Sequence, residues 1–470
     1  MTPSAKKHIP RYKQYFALLF RAVTFIYDTL ARFTAYNYQC VFIILFLAML
    51  LRLPFIAHPD HTQFDEVIYT SYTLHMIAGL PYFDIHPPLA KIVFAAIAGA
   101  QTPFVTKTIT MDFAQPFGDF PYIAIRTFIA YMGILLPLIV YYIGRLLGYK
   151  PRVAMLPALF VVFDSALVIY SRVILPDMLL LVCNFTAFMT ALAATKVKNE
   201  KHARYLIVGS GIALGLALSI KWTALGILLT MWALFIATRR FKEIFITGAI
   251  AALVYIAVFV SFFMYFPQGG FADSPTSSLD RPWVHEIKFP NTRSLPDVLR
   301  ALPAYHQAML YAGKDPDVLK ETMSAPNPLS WPVAKSALIF WFDQNNTIVL
   351  MGNSVLWVLV FFVFLFDLGW TAAMYKTIHK LPIAKDELIL LAGYAFNYLP
   401  FFLIHRPMYV YHYFTALLFL FLLVPKVAPR ILNCLSVLSR DRLFAYTFMT
   451  VALMSIFLNF VLTMPITYGY

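Results

Sequence analysis

Apolar runs near twenty residues long recur along the chain, and short polar breaks separate them. A bilayer core needs about 20 such residues per helix. The runs predict eleven membrane spans near residues 37–56, 121–144, 153–171, 175–195, 205–220, 222–238, 244–266, 346–366, 387–404, 408–425 and 443–464. Breaks at Arg172 to Asp177, at Lys221 and at His405 to Pro407 are too short to be anything but turns at one membrane face. Two stretches are too long to be connectors, about 57–120 and 267–345. The first holds shorter apolar stretches near 66–80 and 89–101, which read as interfacial or re-entrant helices. The second is charged and proline-rich and reads as a small extramembrane subdomain. Residues 1–36 read as a cytoplasmic amphipathic segment, with Gln14, Arg21 and Asp28 spaced by heptads. That leaves a transmembrane module over 37–266 and C-terminal spans over 346–470.

Composition agrees. Hydrophobic residues make up 60% of the 470, charged residues 13%, and mean hydropathy is +0.71. Ordinary soluble domains carry about 25% charge. Disorder is excluded by the apolar content. Three cysteines cannot build a disulfide framework. The net charge of +14 is a topology signal. With the N-terminus placed in the cytoplasm, all six inside segments are basic, as the positive-inside bias requires. No nucleic-acid partner is implied. Both long loops then face outside.

The ionisable groups near membrane depth collect on that outer side, and such groups are costly enough to be functional candidates. Asp65 and Glu66 follow the first span. Adjacent residues on a helix point about 100° apart, so one carboxylate can act while the other fixes the fold; a dipole-favoured helix N-terminus explains them as well. Residues 83–91, FDIHPPLAK, hold Asp84, His86 and Lys91 beside two prolines that open a helix; a solvated turn is the plain alternative. Asp164 lies inside an apolar run and needs a partner, Arg172 or a backbone donor. Arg172 and Asp177 sit at an outer turn, where a structural salt bridge is an equal explanation. Arg126, Lys221, Arg406 and His412 add cations and hydrogen-bonding groups on the same face. Phosphate-loop, zinc-ligand and G-x-S-x-G patterns are absent.

At these residues the chain resembles a known family. FDEV at 64–67 and YFDIHPPLAK at 82–91 resemble the first lumenal loop of the protein O-mannosyltransferases, polytopic all-α enzymes of the GT-C glycosyltransferase fold. Arg126, DSALVIYSRVILPDMLLL, LALSIKWTALGIL, LMGNSVLWVLV and HRPMYVYHYFTALLFLFLL follow the family in order. Ile68, Tyr69 and Thr70 depart from its usual His-Phe-Gly. Eukaryotic members carry a β-trefoil MIR domain in the large loop, and residues 267–345 are too few for one, so the resemblance is to a bacterial or archaeal form in a plasma membrane.

The resemblance implies transfer of a hexose, mannose first, from a polyprenyl-phosphate donor to Ser/Thr hydroxyls of proteins at the outer face, with inversion. The runner-up is a GT-C transferase whose acceptor is a lipid or cell-wall glycan; a transporter or a scaffold ranks lower. Asp65 is the implied general base, supported by Glu66. Arg126 and Arg172, then Lys221, Arg406 and His412, are the expected phosphate cations. Asp84, His86, Asp164 and Asp177 complete the expected substrate-binding set. No cofactor or metal is expected.

Overall fold

The computed structural model describes residues 36–101, 111–266, 268–274, 281–291, 295–314, 326–379, 383–404 and 408–470. The expected N-terminal amphipathic helix and Arg406 lie outside them.

The described residues open with α1 (Asn37–Arg52) and then enter the first long loop, which contains α2 (Glu66–Ile77) and α3 (Leu89–Gly99). The chain returns through α4 (Tyr122–Leu146), α5 (Pro151–Val162), α6 (Ser165–Tyr170), α7 (Asp177–Lys196), α8 (Glu200–Leu218), α9 (Leu225–Ala237) and α10 (Phe241–Met264). The second long loop holds a two-residue ribbon, β1 (Gly270–Phe271) with β2 (Lys288–Phe289), the helix α11 (Leu295–Ala312), and an antiparallel hairpin, β3 (Leu338–Phe342) with β4 (Thr347–Leu350). Four helices finish the chain: α12 (Ser354–Ile378), α13 (Lys385–Tyr398), α14 (Phe414–Ser439) and α15 (Arg442–Tyr468). It is a multi-pass integral membrane protein. Among the described residues, six helices are long and apolar enough to cross a bilayer: α4, α7, α10, α12, α15 and the Val410–Ser439 stretch containing α14. Several other apolar helices are shorter, so the count of eleven spans is not established.

Two expectations change and a third narrows. The span predicted over 153–171 is two helices, because Asp164 leaves the helical conformation and caps α6, accepting from the Leu167 amide at 2.9 Å. The span predicted to begin at 346 begins eight residues later. Thr347, Ile348 and Val349 pair with β3 instead, and Asn353 caps α12 by accepting from the Leu356 amide at 3.1 Å. β-branched residues suit a pleated surface, and a hydropathy reading cannot separate them from the helix that follows. Finally, of the interfacial and re-entrant readings of 66–80, burial favours the re-entrant one for α2. Residues 69–76 are all buried, so protein, not lipid, encloses it.

Candidate active site

Asp65 sits immediately before α2 at a forced bend. Phe64 has φ +41°, a left-handed conformation uncommon outside glycine. The hairpin holds it there: the Phe64 amide donates to the Phe340 carbonyl at 2.8 Å, and the two rings stack at 4.8 Å. The bend separates the two neighbouring carboxylates.

Glu66 turns inward and is fully buried. It accepts from the Gln63 and Ile174 amides at 3.0 and 2.7 Å, and from Arg126 Nε and Nη2 at 2.9 and 2.7 Å. Arg126, also fully buried, donates further to the carbonyls of Pro59 (2.6 Å) and His61 (3.3 Å). The rings of Phe117 and Tyr122 each lie 5.0 Å from its guanidinium. Asp65 differs. Among the described residues nothing hydrogen-bonds to its carboxylate as a helix cap, and the residue remains partly open. Burial pushes its carboxyl up to about 7; Lys221 opposes the rise, and Asp177 and Asp84 add to it.

Those three neighbours belong to two buried ion pairs. Lys221, in the turn between α8 and α9, lies 2.8 Å from each carboxylate oxygen of Asp177, the first residue of α7. Its ammonium lies 5.1 Å from the centre of the Tyr411 ring. Asp84 pairs with Lys91, whose ammonium also donates to the carbonyls of His86 and Pro87 at 2.8 and 2.9 Å. An ammonium has three donors, so Lys91 is fully used in fastening the IHPPL turn to its own helix. His86 is half-buried on that turn. His412 stacks on Tyr411 at 4.5 Å and, with Asp177 and Lys221, lines a narrow pocket. Asn397 and Thr223 line the same pocket. Sequence reasoning passed over both, because a lone amide and a lone hydroxyl beside apolar runs carry no pattern.

Four expected site residues are taken up by the fold. Glu66 accepts four hydrogen bonds and Arg126 spends four of its five N–H donors on Glu66 and backbone carbonyls. Arg172 donates to the carbonyls of Arg52 (3.0 Å), Pro54 (2.7 Å) and Phe55 (2.7 Å), with Tyr468 under its guanidinium at 4.8 Å. Asp164 accepts from Leu167, from the Asn353 amide at 3.4 Å and from the Trp357 indole. It ties α6 to the C-terminal helices. Asp65, Asp84, Asp177, Lys221 and His412 do come together. Among the described residues no group of three or more His, Cys, Asp or Glu is placed to hold a metal ion.

Known proteins share this arrangement of chain. Residues 40–272 match the family model described as dolichyl-phosphate-mannose-protein mannosyltransferase, and residues 299–470 match the C-terminal four-transmembrane region of protein O-mannosyltransferase. Dolichyl-phosphate-mannose–protein mannosyltransferase 1 of Saccharomyces cerevisiae is 32% identical over 214 residues, 42% of this chain and 25% of that one. Human protein O-mannosyl-transferase 1 is 33% identical over 129 residues, 24% of this chain and 17% of that one. The chain therefore spans about a quarter or less of the length of these curated relatives. The solved S. cerevisiae Pmt1–Pmt2 complex, bound to the sugar donor, aligns with a TM-score of 0.75 over 94% of this chain and 92% of that one, at 17% identity. An Archaeoglobus fulgidus oligosaccharyltransferase in complex with an inhibitory peptide and a dolichol-phosphate aligns at 0.52 over 90% and 55%, at 15% identity. The fold is thus that of the GT-C glycosyltransferases, and with its two family models covering nearly all of the helical bundle, this chain belongs to the protein O-mannosyltransferase family.

Proposed function

We propose that the chain transfers a hexose, mannose first, from a polyprenyl-phosphate donor to Ser/Thr hydroxyls of a protein acceptor, with Asp65 as general base. The observation that carries this is the contrast between two adjacent carboxylates: among the described residues Glu66 is taken up by the fold, while Asp65 has no hydrogen-bond partner and feels the charge of Lys221. The acceptor O–H gives its proton to Asp65 while its oxygen bonds to the anomeric carbon. The bond from that carbon to the phosphate oxygen breaks, and the phosphate leaves with the electron pair. A single displacement inverts the anomeric centre. Among the described residues Lys221 is the cation whose charge acts on Asp65, and positioned charge of this kind stabilises a leaving anion. Phosphate is a fair leaving group, so the step is written without a metal or a second acid.

The donor's tail has a surface to lie on. An apolar groove of about 540 Å³ runs between α9 and α10, lined by Leu225, Leu228, Trp232, Ala251, Ala252 and Tyr255. Its mouth is Trp222, adjacent to Lys221, and the Trp222 indole donates to the Tyr255 hydroxyl at 2.9 Å. The positive-inside bias of the basic segments supports an outer Asp65 face and a cytoplasmic N-terminus, and the short second loop supports a prokaryotic plasma membrane as its home.

Membranes containing the full chain, given radiolabelled polyprenyl-phosphate mannose, should label protein in an alkali-sensitive (O-linked) form. Label confined to lipid or glycan would replace the protein acceptor with the runner-up, and no transfer at all would remove the reading. The pH profile should show the base. A base must be deprotonated to act, so kcat/KM should fall about tenfold per unit as pH drops below about 7, where burial has placed the Asp65 carboxyl, and level off above it. A flat profile from pH 5 to 8 would exclude Asp65 as the titrating group.

A further inference from the structure

The end of the bundle opposite Asp65 contains a concavity of about 820 Å³ between the α7–α8 connection and the α9–α10 connection. Lys198, Arg204, Arg239, Arg240 and Lys242 line it, with only Glu200 and Glu243 as acids. Both acids are engaged on their own helices, Glu200 with Arg204 at 3.6 Å and Glu243 with Arg240 at 3.4 Å. Among the described residues Lys198, Arg239 and Lys242 form no ion pair and are exposed. Their charge is unspent.

Arg239 carries a second observation. It has φ +57°, in the region that glycine occupies without cost. The turn around it is fully hydrogen-bonded, with the Arg239 amide on the Ile236 carbonyl at 3.0 Å and the Arg240 amide on the Phe235 carbonyl at 2.7 Å. The geometry is that of a helix end where glycine is the ordinary choice, yet the position holds an arginine whose side chain lines the concavity.

The walls identify the occupant's chemistry. Beside the basic residues lie Val208, Phe241 and Ile246, all lining residues and all exposed. They lead onto the outward surface of α8 and α10, where Tyr205 and Phe245 are also exposed. A soluble anion has no use for that apolar wall. A molecule with a phosphate at one end and acyl chains at the other matches both parts. We propose that this concavity binds the headgroup of an anionic glycerophospholipid, with Lys198, Arg239 and Lys242 on the phosphate and the Val208–Phe241–Ile246 wall along the chains. Basic pockets between transmembrane helices are known to hold such headgroups. The site is separate from the transfer chemistry, so the proposal stands whether or not the assigned reaction does.

The probe is phosphatidylglycerol. Full-length protein, equilibrated in mixed phosphatidylglycerol–phosphatidylcholine micelles and washed with phosphatidylcholine alone, is assayed for retained lipid by native mass spectrometry. Wild type should keep phosphatidylglycerol selectively. Lys198→Ala/Arg239→Ala/Lys242→Ala should keep it roughly tenfold less or worse. An equal charge removed from the same face, Lys376→Ala/Lys385→Ala/Arg440→Ala, should change retention little. Equal loss in both triple variants would mean diffuse attraction to the basic face and would overturn the site. Displacement of the lipid by millimolar glycerol 3-phosphate would mean a site for free phosphate and would overturn the lipid assignment. Should the first triple variant not fold, Arg239→Gly, whose backbone suits the turn, carries the same expectation of reduced retention, and unchanged retention there overturns the proposal.

Discussion

Asparagine at position 65 is expected to slow sugar transfer about 10²–10⁴-fold, the usual loss when a general base is removed, while donor binding persists. Among the described residues nothing hydrogen-bonds to the Asp65 carboxylate, so the substitution should not disturb packing. Its electrostatics predict a gain in stability instead. The carboxyl has an ordinary value of 3.8 and is held at about 7 in the folded chain, chiefly because burial disfavours the charged form. A folded-state value raised for an acid means that stability declines as pH rises from about 4 to about 7, and that the full cost stands above this window. Asparagine cannot ionise and escapes that cost. The variant should therefore melt higher than wild type at pH 8, and the difference should close towards pH 4. Slow transfer together with this pH-dependent gain identifies a carboxylate kept in an unfavourable state for its chemistry. Wild-type turnover in a folded Asp65→Asn protein would eliminate the base and move attention to Asp84.

Asp65 and its surroundings show how far sequence reaches. Apolar runs locate helices well because twenty consecutive nonpolar residues have few other homes, and every predicted span finds a helix over most of its length except where β4 and the Asp164 cap intervene. Both exceptions are non-local. The register of Thr347–Leu350 against Leu338–Phe342 depends on a partner strand. The break at Asp164 is completed by Trp357, 193 residues away. The same holds for the site. Asp65, Asp84, Asp177 and Lys221 could be picked out as costly groups on one face, and the FDEV and FDIHPPLAK strings pointed to the family. Which charges pair was not readable. Lys221 reaches Asp177 across 44 positions and Arg126 reaches Glu66 across 60, and nothing in composition distinguishes an arginine that will meet a phosphate from one that will meet a glutamate.

That distinction gives the other large expected effect. Arg126→Met should cost the folded protein, not the donor site. Glu66 is enclosed entirely, and half of its four hydrogen bonds come from Arg126. Breaking a buried pair by removing one partner typically costs about 3–5 kcal/mol, because the remaining charge is stranded. Set against a total stability of about 5–15 kcal/mol for a typical protein, this should show as a large drop in melting temperature and in recovered monodisperse protein. The carbonyls of Pro59 and His61 lose their donor as well, so the loop that presents Asp65 loosens. The double variant Glu66→Gln/Arg126→Met should be less unstable than the sum of the single losses, because it removes the stranded charge; that coupling separates an ion pair from two independent contacts. Whatever fraction of Arg126→Met folds should bind donor close to normally, since four of the five guanidinium N–H groups are spent on Glu66 and the carbonyls of Pro59 and His61. A fully stable Arg126→Met protein with weakened donor binding would reverse the assignment and return Arg126 to the phosphate site.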